Sequence, residues 1–114
     1  MDTAEYNARV AADMLEGVLQ ERVRQLLILQ GWRHYHTYRS KRSPAGFPDE
    51  CAVRGDRLLF AELKRERGRL SADQLLWKND IEHIAGLVGV CGAIEYHIWR
   101  PSDLLSGLIE EILR

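Results

Sequence analysis

The sequence predicts an α/β or α+β fold in which helices lie on the faces of a four-stranded mixed sheet. Three observations favour this fold. Apolar residues recur at helical spacing near both ends of the chain, short strand-like segments lie between them, and the elements follow the order α-β-β-β-α-β-α. The chain has 114 residues, the ordinary size of one domain, so we predict a single domain over residues 1–114.

The first elements are a long helix and a short strand. Apolar residues keep helical spacing over residues 4–30, and Gly31 ends the pattern, so we predict one continuous helix there. The aromatic-rich segment Trp32–Tyr38 predicts the first strand. Alternation along this strand places His34 and His36 on one face.

A β-hairpin is predicted in the middle of the chain. The segments Asp49–Arg54 and Arg57–Lys64 are separated by Gly55-Asp56, a two-residue turn typical of antiparallel strands. In such a pair the first residues of one strand lie opposite the last residues of the other. We therefore expect Asp49 and Glu62 to converge.

The last three elements are a helix, a strand and a second helix. Ser71 is the predicted N-cap of a helix that extends to about Leu87. Residues 89–98 predict the fourth strand. Pro101 begins the final helix, for which Ser102 or Asp103 is the predicted N-cap.

The composition excludes several classes of protein. Hydrophobic residues make up 46% and charged residues 29% of the chain, as in globular rather than disordered proteins. Two cysteines are too few for a disulfide framework, so we expect a cytosolic location. We expect no signal peptide, and no apolar run approaches the ~18 residues of a membrane span. The formal net charge of −1 does not indicate a nucleic-acid partner.

Two acids and a lysine form a set of groups suited to phosphodiester hydrolysis. The carboxylates of Asp49 and Glu62 are oxygen ligands of the kind that bind Mg²⁺, and the metal polarises a phosphate and lowers the pKa of a bound water. Lys64 can orient or deprotonate that water. The alternative for Glu62 and Lys64 is a solvated strand end with a cross-strand ion pair, and for Asp49 a turn residue.

Several short motifs occur in order along the chain: GFPD at residues 46–49, LLFAELK at 58–64, the turn Arg67-Gly68, the helix residue Gln74, and WRPSD at 99–103. In combination they resemble the VRR-NUC (virus-type replication-repair nuclease) family of the PD-(D/E)xK superfamily, over about residues 12–113. The resemblance implies a restriction-endonuclease-like αβββαβ core with a C-terminal helix. It also implies a Mg²⁺-dependent DNA endonuclease, for which we expect Mn²⁺ to substitute.

The resemblance assigns roles to individual residues. Asp49 and Glu62 match the metal-binding acids of the family, and the main-chain carbonyl of Leu63 would be a further metal ligand. Lys64 matches the catalytic lysine. Gln74 matches a glutamine that points back into the site.

A further acid comes from the first helix in this family, four residues before a glutamine. Glu16 and Gln20 have this spacing and lie on one helix face. Glu21 is a competing candidate, and we prefer Glu16 on register. Glu50 departs from the family, which usually has an apolar residue there, and we expect it to face solvent.

Basic residues flank the predicted site in two loops. One holds Arg39, Lys41 and Arg42, and the other holds Arg65, Arg67 and Arg69 with one acid, Glu66. We expect these side chains, together with His36, to contact the DNA backbone. The alternatives are solvated loops and a structural role for His36. The near-neutral net charge is thus an average over a basic rim and an acidic remainder.

The resemblance also implies a substrate and an assembly. Small members of the family act on branched DNA, such as four-way junctions or flaps, in repair, recombination or phage replication, and leave 5′-phosphate and 3′-hydroxyl ends. We expect a homodimer in the cytosol of a bacterium or a phage-infected host. The alternatives are a non-catalytic DNA-binding module and a nuclease subunit of a larger restriction or replication complex.

Overall fold

The computed structural model describes residues 1–38, 43–87 and 93–114. The predicted DNA-contacting residues Arg39, Lys41 and Arg42 therefore lie outside the described residues, as do Cys91 and the first part of the predicted fourth strand.

The described residues form five helices and four strands. They are α1 (Thr3–Asp13), α2 (Glu16–Leu29), β1 (Arg33–His36), β2 (Glu50–Arg54), β3 (Arg57–Leu63), α3 (Ala72–Leu87), β4 (Ala93–Trp99), α4 (Pro101–Leu105) and α5 (Leu108–Leu113). The chain divides into two compact units. The first contains Met1–Gly31, Leu63–Arg69 and Ile98–Arg114, and the second contains Trp32–Glu62 and Leu70–His97.

The strands form one four-stranded sheet in the order β1-β2-β3-β4. β1 and β3 both pair antiparallel with β2. β4 runs parallel to β3, because Arg57 and Glu95 meet near the starts of the two strands, while the amide of Lys64 donates to the carbonyl of Trp99 at their ends. The predicted α+β class with a mixed sheet is therefore confirmed.

The two faces of the sheet in the second unit differ in chemistry. Ala52, Leu59 and Ala61 lie on one face and are fully buried. On the other face, the ring of Phe47 packs edge-on against Phe60 of β3 and Trp77 of α3, with centroid distances of 6.0 and 5.0 Å. This aromatic contact holds α3 against the sheet.

The predicted continuous helix over residues 4–30 is wrong, because the first unit has two helices there. Met14 and Leu15 are extended and separate α1 from α2. α1 packs on α4, whereas α2 contacts both α4 and α5 and buries Leu19, Val23 and Leu27. Both helices pack on α4, and α2 also packs on α5. This tertiary packing overrides the helical preference of the two linking residues.

The final helix is also interrupted. Gly107 adopts a left-handed conformation with φ of +85° and separates α4 from α5. The residue at the N-cap position is Arg100, not Ser102 or Asp103 as predicted. Asp103 instead occupies the third helical position, where its carboxylate accepts a 2.8 Å hydrogen bond from the amide of Arg100.

A bidentate ion pair joins β3 to β4 in the second unit. Arg57 donates hydrogen bonds of 2.6 and 2.8 Å to Glu95, and Nε2 of His97 lies 3.1 Å from the same carboxylate. Burial raises the pKa of Glu95, but the hydrogen bonds from Arg57 and His97 outweigh it and hold the pKa below its ordinary value of 4.5.

This ion pair makes stability dependent on pH. A carboxyl whose pKa is lower in the folded state stabilises the fold above its unfolded pKa, and the contribution disappears as pH falls through the folded pKa. We expect Glu95→Gln to lower the free energy of unfolding by about 1–3 kcal/mol near neutral pH. The difference in the free energy of unfolding between Glu95→Gln and the wild type should become smaller below pH 4.5. Urea unfolding across this range tests the expectation, and a pH-independent difference would contradict it.

None of the helices in the described ranges is long and apolar enough to cross a membrane.

Candidate active site

The two predicted metal-binding acids lie at neighbouring strand positions in the second unit. The β2–β3 register pairs Glu50 with Ala61, and Asp49 and Glu62 are the next residues of the two strands. Opposed residues of an antiparallel pair share one sheet face, so this register places Asp49 and Glu62 at adjacent positions on one face of the sheet. Glu62 is only 1% exposed, which excludes the alternative of a solvated strand end for this residue.

A capping box at the start of α3 directs Gln74 onto Glu62. Nε2 of Gln74 donates a 3.1 Å hydrogen bond to Oε1 of Glu62. Oε1 of Gln74 accepts from the amide of Ser71, and the Ser71 hydroxyl accepts from the amide of Gln74. Because the amide oxygen is occupied at the helix start, the amide nitrogen must face the carboxylate. Gln74 thus points back toward Glu62, and Ser71 caps α3 as predicted.

The GFPD motif places the chain before Asp49 against α3. Gly46 has a φ of +96°, and a Cβ atom there would lie 2.5 Å from the backbone of Asp73. Only glycine fits this approach. Thr37 holds the end of the motif, because its amide donates to the carbonyl of Asp49 and its hydroxyl to that of Pro48. These contacts fix the backbone that carries Asp49.

Tyr96 is a further residue of this sheet face that sequence reasoning missed. Arg57 and Glu95 share the opposite face, so alternation places Tyr96 on the same face as Phe60 and Glu62. The alternation was visible in the sequence, but the pairing of β4 with β3 was not.

The hydroxyl of Tyr96 is buried. Its oxygen is shielded from solvent and has no hydrogen-bond partner within the described part of the chain. Burial, followed by the negative charges of Glu62, Glu82 and Asp49, raises the pKa of Tyr96 well above its ordinary value of 10.0. The phenol is therefore protonated and can act as a hydrogen-bond donor.

Glu50 was expected to face solvent, and this expectation is wrong: the residue is 1% exposed. His36 lies opposite it on β1, with its Nδ1 2.8 Å from Oε1, and Nδ1 of His34 lies 3.7 Å from Oε2. Burial raises the pKa of Glu50, and the two histidines oppose that rise. His36 thus contacts a buried acid on the sheet face opposite Asp49 and Glu62, which favours its structural reading.

Lys64 follows β3 directly and belongs to the first unit, as does Leu63. Lys64 is half-buried, and its amide is bound to the carbonyl of Trp99. Lys64 lies two residues after Glu62, so strand alternation assigns both residues to the same side of the strand.

The turn after Lys64 is held by the WRPSD segment. Arg100 donates a 2.9 Å hydrogen bond to the carbonyl of Gly68, and Glu66 accepts one of 3.2 Å from the amide of Ser102. The only acid of this loop therefore binds the start of α4. The remaining basic side chains of the loop are exposed: Arg65, Arg67 and Arg69.

Both candidate helix acids lie on α2. Glu16 is its first residue, and Glu21 is bound to Arg24, with 2.6 Å between Oε1 and Nη2. The hydrogen bonds from Arg24 lower the pKa of Glu21. Because its carboxylate is already engaged, Glu21 is the weaker candidate for a metal ligand.

The donor set in the second unit fits a hard cation. Carboxylate and carbonyl oxygens are the ligands that Mg²⁺ prefers. No group of three or more His, Cys, Asp or Glu side chains in the described ranges is arranged to hold a metal ion. Asp49 and Glu62 are thus a two-carboxylate set, which is compatible with Mg²⁺ because this ion commonly keeps waters and substrate oxygens as ligands.

The fold is similar to that of a solved structure described as a VRR_NUC domain. The TM-score is 0.59, the sequence identity is 20%, and the match covers 82% of this chain and 92% of the other. No family model matches the sequence, and no curated protein matches it either. The structural comparison therefore confirms, at the level of the fold, the resemblance that the motifs indicated.

Proposed function

We propose that the chain is a Mg²⁺-dependent DNA endonuclease of the PD-(D/E)xK type. The observation that carries the proposal is the buried Glu62 carboxylate, which lies next to Asp49 and accepts a hydrogen bond from Gln74. Burying a carboxylate without a compensating role is costly. The similarity of the fold to a VRR_NUC domain supports the same conclusion.

The metal ligands that we assign are Asp49, Glu62 and the carbonyl of Leu63. Glu16 is proposed as a further ligand from the sequence alone, because no group of three acids in the described ranges is arranged to hold a metal ion. When bound, Mg²⁺ would polarise the scissile phosphate and lower the pKa of a water. Glu16 is assigned in preference to Glu21 because Glu21 is already paired with Arg24.

Two further side chains have roles that do not require metal ligation. Lys64 orients or deprotonates the attacking water and offsets charge on the phosphate. Gln74 holds the carboxylate of Glu62 in place through its amide hydrogen bond. Hydrolysis in this manner leaves a 5′-phosphate and a 3′-hydroxyl.

DNA contacts are assigned to the basic loops. Arg65, Arg67 and Arg69 project from a turn that Arg100 and Ser102 hold in place, and such side chains suit the phosphate backbone. A groove of about 560 Å³ adjoins this turn and is lined by Ala12 and residues 65–68. Arg39, Lys41 and Arg42 are proposed contacts from the sequence, whereas the contact of His36 with Glu50 favours its structural role over the DNA contact proposed from the sequence.

We also propose that the substrate is branched DNA and that the chain forms a homodimer. Several apolar side chains of α2 and its N-cap are exposed, which leaves surface for a second subunit: Leu15 by 57%, Val18 by 49%, Ile28 by 55% and Leu29 by 74%. A two-fold dimer would present two sites to a four-way junction.

The proposal is tested with labelled four-way junction, flap and linear duplex DNA, each incubated with Mg²⁺ or with a chelator. We expect cleavage of the branched substrates that chelation abolishes, and light scattering from a species of twice the chain mass. Cleavage that persists in chelator would contradict the metal mechanism. Binding without cleavage of any substrate would favour the DNA-binding module, and activity only with added partner proteins would favour the nuclease subunit.

A further inference from the structure

Tyr35 is an exposed aromatic residue on the sheet face that carries Asp49 and Glu62. The β1–β2 register pairs Tyr35 with Cys51, which lies two residues after Asp49. Opposed residues of paired strands share a face, and so do alternate residues of one strand, so Tyr35 and Asp49 lie on the same side of the sheet. Tyr35 is nevertheless 64% exposed. A large aromatic ring is thus presented to solvent beside the proposed metal-binding acids.

The neighbours of Tyr35 extend this exposed area. Arg33 lies two residues earlier on β1 and is exposed, and Val53, which is opposite Arg33, is 43% exposed. We call Arg33, Tyr35 and Val53 the β1–β2 surface. The same sheet face is covered over β3, where α3 packs against Phe60 through the ring of Phe47. The β1–β2 surface therefore combines a cation, an aromatic ring and an apolar side chain, which together suit a nucleotide.

The position of Tyr35 relative to Asp49 matches a nucleotide close to the scissile phosphate. The two residues lie on adjacent strands with an offset of two residues, which separates their Cα atoms by about 8 Å. Successive phosphates of one DNA strand advance by about 3.4 Å along a duplex. A phosphate held at the metal-binding acids would therefore bring a base about two steps away level with Tyr35.

Stacking on this ring selects an unpaired base. Inside a duplex each base is already stacked on its neighbours, so a side chain on a protein surface cannot reach its face, whereas an unpaired base can be splayed out onto an aromatic ring. Such stacking tolerates any base, because every base has a π-face. The β1–β2 surface would therefore distinguish the structure of the DNA and not its sequence.

We propose that Tyr35 is a specificity residue, whose ring stacks on an unpaired base at the branch point of the DNA substrate. The inference rests on the proposed function, and it names the feature of branched DNA that the chain recognises. Arg33 would contact the phosphate backbone next to that base.

DNA binding tests the inference, measured with Ca²⁺ so that cleavage stays slow, on a flap with unpaired bases at the branch and on a continuous duplex of equal length. We expect Tyr35→Ala to bind the flap about tenfold more weakly than the wild type, because a base–aromatic stack contributes on this scale, and to bind the duplex equally well. Tyr35→Phe keeps the ring and should keep the preference for the flap. Tyr6→Ala is the matched control, since Tyr6 is 60% exposed on α1, and we expect no change in affinity.

A fluorescent base analogue reports the stack directly. 2-Aminopurine is placed at the unpaired position next to the branch, where stacking lowers its emission. We expect the wild type and Tyr35→Phe to lower the emission and Tyr35→Ala to leave it high. The wild-type measurement does not depend on the folding of any variant, and an unchanged emission with bound wild type would overturn the inference.

Two other results would also overturn the inference and leave the nuclease proposal standing. Equal loss of flap and duplex affinity in Tyr35→Ala would show a general contact with DNA. Light scattering from Tyr35→Ala at half the wild-type mass would assign the β1–β2 surface to a second copy of the chain. Wild-type protein that binds neither DNA would overturn both proposals.

Discussion

Glu62→Gln will abolish metal-dependent cleavage, with a loss of at least about 10²–10³-fold in kcat. The substitution keeps the size of the side chain and its capacity to accept from Gln74, but it removes the negative charge that the metal requires. Because Glu62 is 1% exposed, removal of a buried charge should leave the Tm unchanged or raise it. Loss of activity together with retained stability separates a chemical role from a structural one.

The change in Tm on metal binding provides a second test of the role of Glu62. A ligand that binds only the folded state raises the Tm in a concentration-dependent manner. Mn²⁺ should therefore stabilise the wild type and not Glu62→Gln. Glu110→Gln serves as the control, because the side chain of Glu110 is 48% exposed on α5. Wild-type cleavage by Glu62→Gln would refute the proposed site.

Lys64→Ala will lower kcat by about 10²–10⁴-fold, the range for loss of a general acid or base. Ca²⁺ binds the same oxygen ligands but supports hydrolysis poorly, so DNA affinity can be measured in its presence. We expect that affinity to fall by no more than about threefold, because other basic residues contact the backbone. The defect should lie in kcat and not in KM.

Two further variants distinguish the possible causes of the loss of activity in Lys64→Ala. Lys64→Arg keeps the positive charge but cannot release a proton, so partial activity would indicate charge stabilisation and none would indicate proton transfer. Lys78→Ala removes a lysine of α3 whose side chain is 27% exposed and should cleave normally. Equal loss in Lys64→Ala and Lys78→Ala would show that the effect is not specific to the site.

Some elements could be predicted because their signals are local. Ser71 and Gln74 together form a capping box, so the start of α3 is specified by four residues. The Gly55-Asp56 turn determines the β2–β3 register, and that register brings Asp49 next to Glu62. Here the short-range chemistry and the final fold agree.

Other features depend on contacts between segments that are distant in the sequence, so no single segment predicts them. Met14 and Leu15 interrupt the helix without a proline or glycine at the break, because α1 and α2 pack on α4 as two separate helices and α2 also packs on α5. Glu50 was expected to face solvent because it is a charged residue where the family usually has an apolar one, yet His36 on β1 lies opposite it. The position of Tyr96 relative to Glu62 likewise required the parallel pairing of β4 with β3.

The side-chain amide of Gln74 connects the candidate active site to the first turn of α3. Ser71 and Gln74 close the first turn of α3, and the other end of the same amide holds Glu62. Helix termini fray more readily than helix centres, and each frayed molecule would lose this hydrogen bond to the carboxylate at the same moment. Local unfolding of a single helical turn, which hydrogen exchange at these amides reports, would then set the fraction of molecules competent for catalysis.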